Sequence, residues 1–138
     1  MREPKKIGYN SSMKKGILKQ NGVHLEEHEY KTVKFLLERG HNIELIPPSR
    51  IKNLQMPDMM LDDVPWEMKS PISDGKYTIK NIIQNASHQA VNIIIDLRRC
   101  KMNDETATRE IRHYFGLSKR LRRAKIITKA DEIIDFSK

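Results

Sequence analysis

An α/β fold with a mixed central sheet is what this sequence predicts, and three observations predict it. Val91-Asn92-Ile93-Ile94-Ile95-Asp96-Leu97 is a near-continuous, β-branched run, as a strand covered on both faces carries. Apolar residues recur at helical spacing on either side of that run. Two short runs meet at Asp62-Asp63 as the arms of a hairpin do. The order helix, strand, hairpin, helix, strand, helix, strand, strand places helices on the faces of the sheet.

Residues 1–23 hold Lys5-Lys6, Asn10-Ser11-Ser12, Lys14-Lys15 and Asn21-Gly22 with little apolar periodicity, so they read as a flexible basic arm or linker before a domain spanning 24–138. From His24 to Arg39, Tyr30, Val33, Leu36 and Leu37 recur at helical spacing and Gly40 supplies the stop, which predicts an amphipathic helix. Glu29 shares a stripe with Val33 and Leu36, at the edge of the inward face; its alternative role is to complement the helix dipole. His24-Leu25-Glu26-Glu27-His28 matches an inverted zinc-peptidase pattern. His24 lies at or before the helix start and no third ligand follows, so surface histidines are expected instead. Asn42 to Ile46 reads as a strand ended by Pro47-Pro48, and Ser49 to Gln55 as a loop.

A two-residue turn at Asp62-Asp63 pairs Leu61 with Val64, Met60 with Pro65, Met59 with Trp66 and Asp58 with Glu67. Lys69 then shares a face with Glu67, while Trp66 and Met68 point to the other. Opposed residues have Cβ atoms roughly 4.5–5.5 Å apart, where two acids repel. A divalent cation resolves that repulsion, and Mg²⁺ suits oxygen ligands that also meet substrate phosphates. The lysine beside it is placed to orient or deprotonate a water and to stabilise charge on phosphorus. A four-residue loop on the same pair keeps this register; a three-residue loop destroys it.

Ser70 to Tyr77 reads as a loop. Ile79, Ile82, Ile83, Ala86 and Ala90 mark the buried stripe of a second helix, with Lys80 and Gln84 elsewhere on its surface and Gln89 beside the stripe at its end. Asn103 and Asp104 cap a third helix that turns Ala107, Ile111, Tyr114 and Phe115 inward and Arg109 and Arg112 outward. Ala124 to Thr128 and Glu132 to Phe136 close the chain as strands around Lys129-Ala130-Asp131.

The 138 residues carry a net charge of +8, unevenly placed. Residues 1–23 hold six basic and one acidic residue, 24–97 eight and eleven, and 98–125 ten and three. An acidic centre between basic flanks suits a metal-dependent enzyme acting on a polyanion; a merely solubilising surface is the plainer reading. The lone Cys100 excludes an intramolecular disulfide and reads as a small buried hydrophobe. No run reaches the ~18 apolar residues of a membrane span, and no signal-like apolar core precedes Gly22, so the chain reads as soluble and unexported by its own sequence.

An acid-bearing helix, Pro57-Asp58, a hairpin, Glu67-Met68-Lys69, a helix and a buried strand together resemble the PD-(D/E)XK nuclease superfamily, from about His24 to the C-terminus. Leu36-Leu37-Glu38-Arg39-Gly40, Glu67-Met68-Lys69-Ser70 and Asn85-Ala86-Ser87-His88-Gln89-Ala90 running into Ile93-Ile94-Ile95-Asp96-Leu97 look like the tRNA-cleaving C-terminal domains of contact-dependent growth inhibition toxins. The short spacer between Asp58 and Glu67 departs from the superfamily in leaving no room for embellishment. The resemblance implies an αβββαβ core and a Mg²⁺- or Mn²⁺-dependent endonuclease. It implies that Asp58, Glu67 and the Met68 carbonyl bind the metal, that Lys69 positions the attacking water, and that Glu29 completes the acidic cluster. Gln89, with Lys80 or Gln84, would support substrate or the lysine, and Arg98, Arg99, Arg122 and Arg123 would hold the polyanion. It further implies action in a bacterial cytoplasm and a cognate immunity protein. The resemblance favours tRNA as substrate; on the residues alone RNA and DNA are not told apart, and a non-catalytic nucleic-acid-binding module stands beside the nuclease.

Overall fold

The computed structural model describes residues 5–7 and 14–138. In chain order the elements are β1 (Lys5–Ile7), β2 (Leu18–Lys19), α1 (Glu27–Glu38), β3 (Ile43–Leu45), β4 (Met59–Leu61), β5 (Val64–Lys69), α2 (Thr78–Ser87), β6 (Asn92–Asp96), α3 (Asp104–Leu117), β7 (Arg123–Ile127) and β8 (Ile133–Ser137). All eight strands join one mixed sheet in the order β1-β8-β7-β6-β5-β4-β3-β2. β5, β6 and β7 run parallel to one another, and the hairpins β3-β4-β5 and β7-β8 are antiparallel.

The expected element order holds from α1 onward. Asp62 and Asp63 both adopt positive φ, 50° and 67°, the two-residue turn that sets Leu61 opposite Val64 and Met59 opposite Trp66. Asp-Asp is a poor hairpin dipeptide in isolation, and here its neighbours support it. The Asp62 carboxylate lies 2.6 Å from His41 Nδ1 and accepts the Asn42 N–H at 2.8 Å, tying the turn to the entrance of β3.

The segment read as a flexible arm instead contributes two edge strands, because backbone and cap bonds hold strands too short to show a pattern. β1 pairs antiparallel with β8, and β2 pairs parallel with β3. The Gly16 N–H donates to Leu37 O at 2.8 Å, and the Ile17 N–H to Asn42 Oδ1 at 2.9 Å. A Cβ at Gly16 would stand 1.7 Å from His41 O, so only glycine passes there. Residues 1–4 and 8–13 of that segment lie outside the described residues.

α1 covers one face of the sheet and α2 with α3 the other. Val33, Phe35 and Leu36 of α1 pack with Trp66, Met68, Ile94 and Ile127, whereas Ile93, Ile95, Ala124 and Ile126 pack with Ile79, Ile83, Ile111 and Phe115. Tyr30, expected on the inward stripe, is half exposed; Thr32 and Phe35 take the buried positions instead. Every residue of β6 is buried, as its composition requires. The Asn103 side chain caps α3, accepting the Thr106 N–H at 2.8 Å.

One buried polar knot fixes α1 to the end of β6. Asp96, 3% exposed, accepts Thr32 Oγ1–H at 2.6 Å, the Arg98 N–H at 3.0 Å and Arg98 Nη2 at 2.8 Å. Hydrogen bonds to a buried carboxylate contribute about 1.5–3 kcal/mol each. Thr32→Val is therefore expected to lower stability by about that amount, read as a lower urea midpoint with unchanged slope.

Candidate active site

β5 outruns its neighbour. Pairing with β4 ends at Met59 opposite Trp66, while on the other edge Glu67, Met68 and Lys69 continue along Ile93, Ile94 and Ile95. The Met68 N–H, deprived of a strand carbonyl, donates instead to Asp58 Oδ2 at 2.8 Å. Asp58 is held in turn by its own carbonyl, which accepts the Ile46 N–H at 3.0 Å. Because N–H and C=O of one strand residue share an edge, the Met68 carbonyl faces the same opening.

Glu67 and Lys69 project from β5 on the side of Ile93 and Ile95, and Lys69 Nζ lies 3.3 Å from Glu67 Oε2. Glu67 is 2% exposed, and its Oε1 has no hydrogen-bond partner. Burial first, and then the neighbouring Asp58 carboxylate, push the Glu67 carboxyl up to about 8 against the opposing pull of Lys69. Two acids and a backbone carbonyl at one strand edge, one oxygen of them orphaned, form a hard oxygen donor set that fits Mg²⁺ or Mn²⁺.

A hollow of about 340 Å³ opens onto this edge, lined by Asp58, Met68, Glu29, Gln89 and His24 among others. Glu29 thus reaches the site from α1 and Gln89 from the end of α2. Glu29 also closes the helix start, where its Oε1 accepts the Glu26 N–H at 2.9 Å, so the dipole-complementing role is real. Among the described residues no three carboxylate, histidine or thiol groups converge, so Glu29 shares the hollow with Asp58 without completing a cluster, and neither Glu67 nor Lys69 lines that hollow. The Gln89 Oε1 is buried and without a partner beside it. Lys80 and Gln84 do not line the hollow; Lys80 Nζ lies 5.9 Å from the Tyr77 ring, and Gln84 is exposed. His24 and His28 line different depressions, which disposes of the zinc pattern.

The basic stretch from Arg98 to Lys125 does not make one surface. Arg98 and Arg99 follow the C-terminal end of β6, whereas Arg123 pairs with Asn92 at its opposite end. Arg123 Cζ lies 5.0 Å from the Trp66 ring, and Lys125 is buried, paired with Asp135 at 2.7 Å. Arg99 Nε donates to Ser70 O at 2.9 Å, beside Lys69.

Residues 55–133 match the contact-dependent growth inhibition CdiA C-terminal domain. The chain belongs to that family. As a CdiA C-terminal domain it is also similar in fold to a chain of the CdiA-CT/CdiI toxin and immunity complex from Burkholderia pseudomallei. That similarity has a TM-score of 0.66 at 16% identity and covers 89% of this chain and 100% of the other. No curated protein sequence matches. The family match takes in Asp58, Glu67, Lys69, Gln89 and the arginines, and leaves α1 outside. No described helix of this CdiA C-terminal domain is long and apolar enough to cross a membrane.

The raised carboxyl has a stability consequence in metal-free protein. Below the ordinary value near 4.5, folded and unfolded states both hold the Glu67 proton; between there and about 8 only the folded state does, so folding weakens as pH rises. Glu67→Gln escapes this. At pH 8 and above, with EDTA, it is expected to be more stable than the parent by roughly 1–3 kcal/mol, and the gap should close at pH 4 in parallel denaturation series.

Proposed function

We propose that this domain is the toxin of a contact-dependent growth inhibition system and acts as a metal-dependent endonuclease, hydrolysing phosphodiester bonds with tRNA as the favoured substrate. The observation that carries this reading is the buried Glu67 carboxyl beside Asp58, with Oε2 held 3.3 Å from Lys69 Nζ and Oε1 left without a hydrogen-bond partner. Support also comes from the run α1 to β6, whose order of helix, three strands, helix, strand is that of the PD-(D/E)XK core.

Asp58, Glu67 and the Met68 carbonyl would hold Mg²⁺ or Mn²⁺. When bound, the cation supplies Lewis-acid polarisation of a phosphoryl oxygen and lowers the pKa of a coordinated water. Lys69, anchored at 3.3 Å to Glu67, orients the attacking water and balances charge gathering on phosphorus. The water oxygen forms its bond to phosphorus as the bond to the leaving oxygen breaks, and a proton passes to that oxygen. Glu29 and Gln89 border the hollow and position water or the scissile strand. Arg98 and Arg99 are the cations at the C-terminal end of the central strands that meet the polyanion.

As a delivered toxin the domain would act in the cytoplasm of a target bacterium. A cognate immunity protein would accompany it, as one does the Burkholderia chain.

The test is cleavage of total tRNA and of supercoiled and single-stranded DNA with Mg²⁺, Mn²⁺ or EDTA. Discrete, metal-dependent tRNA fragments are expected, with Asp58→Ala, Glu67→Ala and Lys69→Ala each lowering the rate at least ~10³-fold while folding normally. Nicking of DNA with tRNA intact selects the DNA endonuclease. Full activity in pure Glu67→Ala protein overturns the assignment.

A further inference from the structure

Two further depressions lie beside the site and share Lys31 and Arg98, so they form one groove along α1. Its near end includes Ser70, the residue after Lys69, and Arg99, which is bonded to the Ser70 carbonyl. From there it follows the stripe Glu27, Lys31, Lys34, Glu38, positions i, i+4, i+7 and i+11 of the helix. Eleven residues at ~1.5 Å each give a length of roughly 16 Å, enough for more than one phosphate.

The groove's lining sets five cations, Lys31, Lys34, Arg39, Arg98 and Arg99, against Glu27, Glu38, Asp96 and Asp131, and the two guanidiniums nearest Phe35 are preorganised. Arg98 is fixed by Asp96 and by Lys31 O, to which Nη2 donates at 2.9 Å, and its Cζ lies 4.7 Å from the Phe35 ring. Arg39 Cζ lies 3.3 Å from the same ring, and Nη2 donates to Asp131 O at 2.8 Å. Two planar guanidiniums held against one buried ring lose little freedom when an anion arrives. Lys31 and Lys34 are exposed; the Lys31–Glu27 pair at 3.4 Å is solvent-screened and easily exchanged for a phosphate. Asp96, the buried acid of the lining, is already satisfied by Thr32 and Arg98.

We infer that this groove carries the phosphate backbone of the nucleic acid away from the Asp58–Glu67 site, with Lys31, Lys34, Arg39, Arg98 and Arg99 as its phosphate contacts. The inference rests on the nuclease reading and adds to it the path of the substrate. It also moves the main substrate surface away from Arg122 and Arg123, which stand at the other end of β6.

The experiment compares Lys31→Glu/Lys34→Glu with Arg122→Glu/Arg123→Glu, two variants of identical net charge, binding labelled tRNA and a labelled DNA duplex in EDTA across a salt series. Fluorescence anisotropy reads affinity, and thermal melting reads folding. The α1 variant should bind at least ~10-fold more weakly at low salt, with a log–log salt slope shallower by about 1.4–1.8 for two lost phosphates. The Arg122/Arg123 variant should stay within about threefold. The neutral pair Lys31→Ala/Lys34→Ala, run beside them, should show the same loss of slope and keeps the test valid if charge reversal unfolds the helix.

Equal weakening by both reversed variants would mean that only net charge matters, and no weakening by either would mean that α1 is not the path; each overturns the groove. Cleavage by the parent protein together with unchanged binding by the α1 variants removes the groove and leaves the nuclease. Groove-dependent binding by a parent protein that cleaves nothing supports the groove and removes the nuclease. A parent protein that binds no nucleic acid overturns both.

Discussion

The structure turns on the point where β5 leaves β4 behind. A central strand with one edge open has backbone groups that must find partners, and here the Met68 N–H takes the Asp58 carboxylate. That single bond fixes an acid at the strand edge and leaves the Met68 carbonyl facing the same gap. Strand alternation then sets Glu67 beside Asp58 and Lys69 one step further on the same side. None of the three needs a long loop to reach the others. The closeness of two acids in a desolvated place follows from backbone geometry, and so does the demand for a proton or a cation between them.

Asp96 links this opening to the outer face of α1. The carboxylate at the end of β6 receives Thr32 from the helix and Arg98 from the following turn, so helix, central strand and arginine are positioned together. Arg98 is therefore not an interchangeable surface cation. Its guanidinium neutralises the buried acid, bonds the Lys31 carbonyl and still borders both depressions along α1. The Asp58–Glu67 edge and the groove along α1 are thereby held in one frame, which on the proposed reading would fix the register between a bound backbone and the strand edge.

Much of this was legible in the sequence, for identifiable reasons. The β-branched run at 91–97 admits no reading but a buried strand, and all of β6 is buried. The Asp62-Asp63 register followed from counting outward from a two-residue turn, and Leu61 does face Val64. What escaped was set by tertiary neighbours. β1 and β2 are three and two residues long, too short for periodicity, and exist because β8 and β3 offer free edges. Glu29 was visible as an inward acid, but whether it caps its own helix or joins Asp58 depends on rotamer and distance. The Arg98–Lys125 run looked continuous because sequence does not show that β6 and α3 intervene to separate its ends. Lys31 and Lys34 carried a signal, an i, i+3 pair on a helix with the apolar stripe elsewhere, which gains meaning only once Arg98 arrives beside them.

The charge distribution also imposes an order on the chemistry. A chain of net charge +8 attracts a polyanion at long range, and the proposed path along α1 would receive its backbone. At the strand edge the sign reverses, because an ionised Asp58–Glu67 pair repels a phosphate. Lys69 offsets one charge at 3.3 Å and no more. A phosphodiester can therefore approach the edge only when the pair carries a proton or a cation. On the reading proposed above, a proton on Glu67 would remove the repulsion and loosen the tie to Lys69 but leave no anionic ligand for a metal, so hydrolysis would need the cation in its place. In the nuclease reading, the buried acid that weakens the metal-free fold makes binding of substrate and competence for chemistry two separable events.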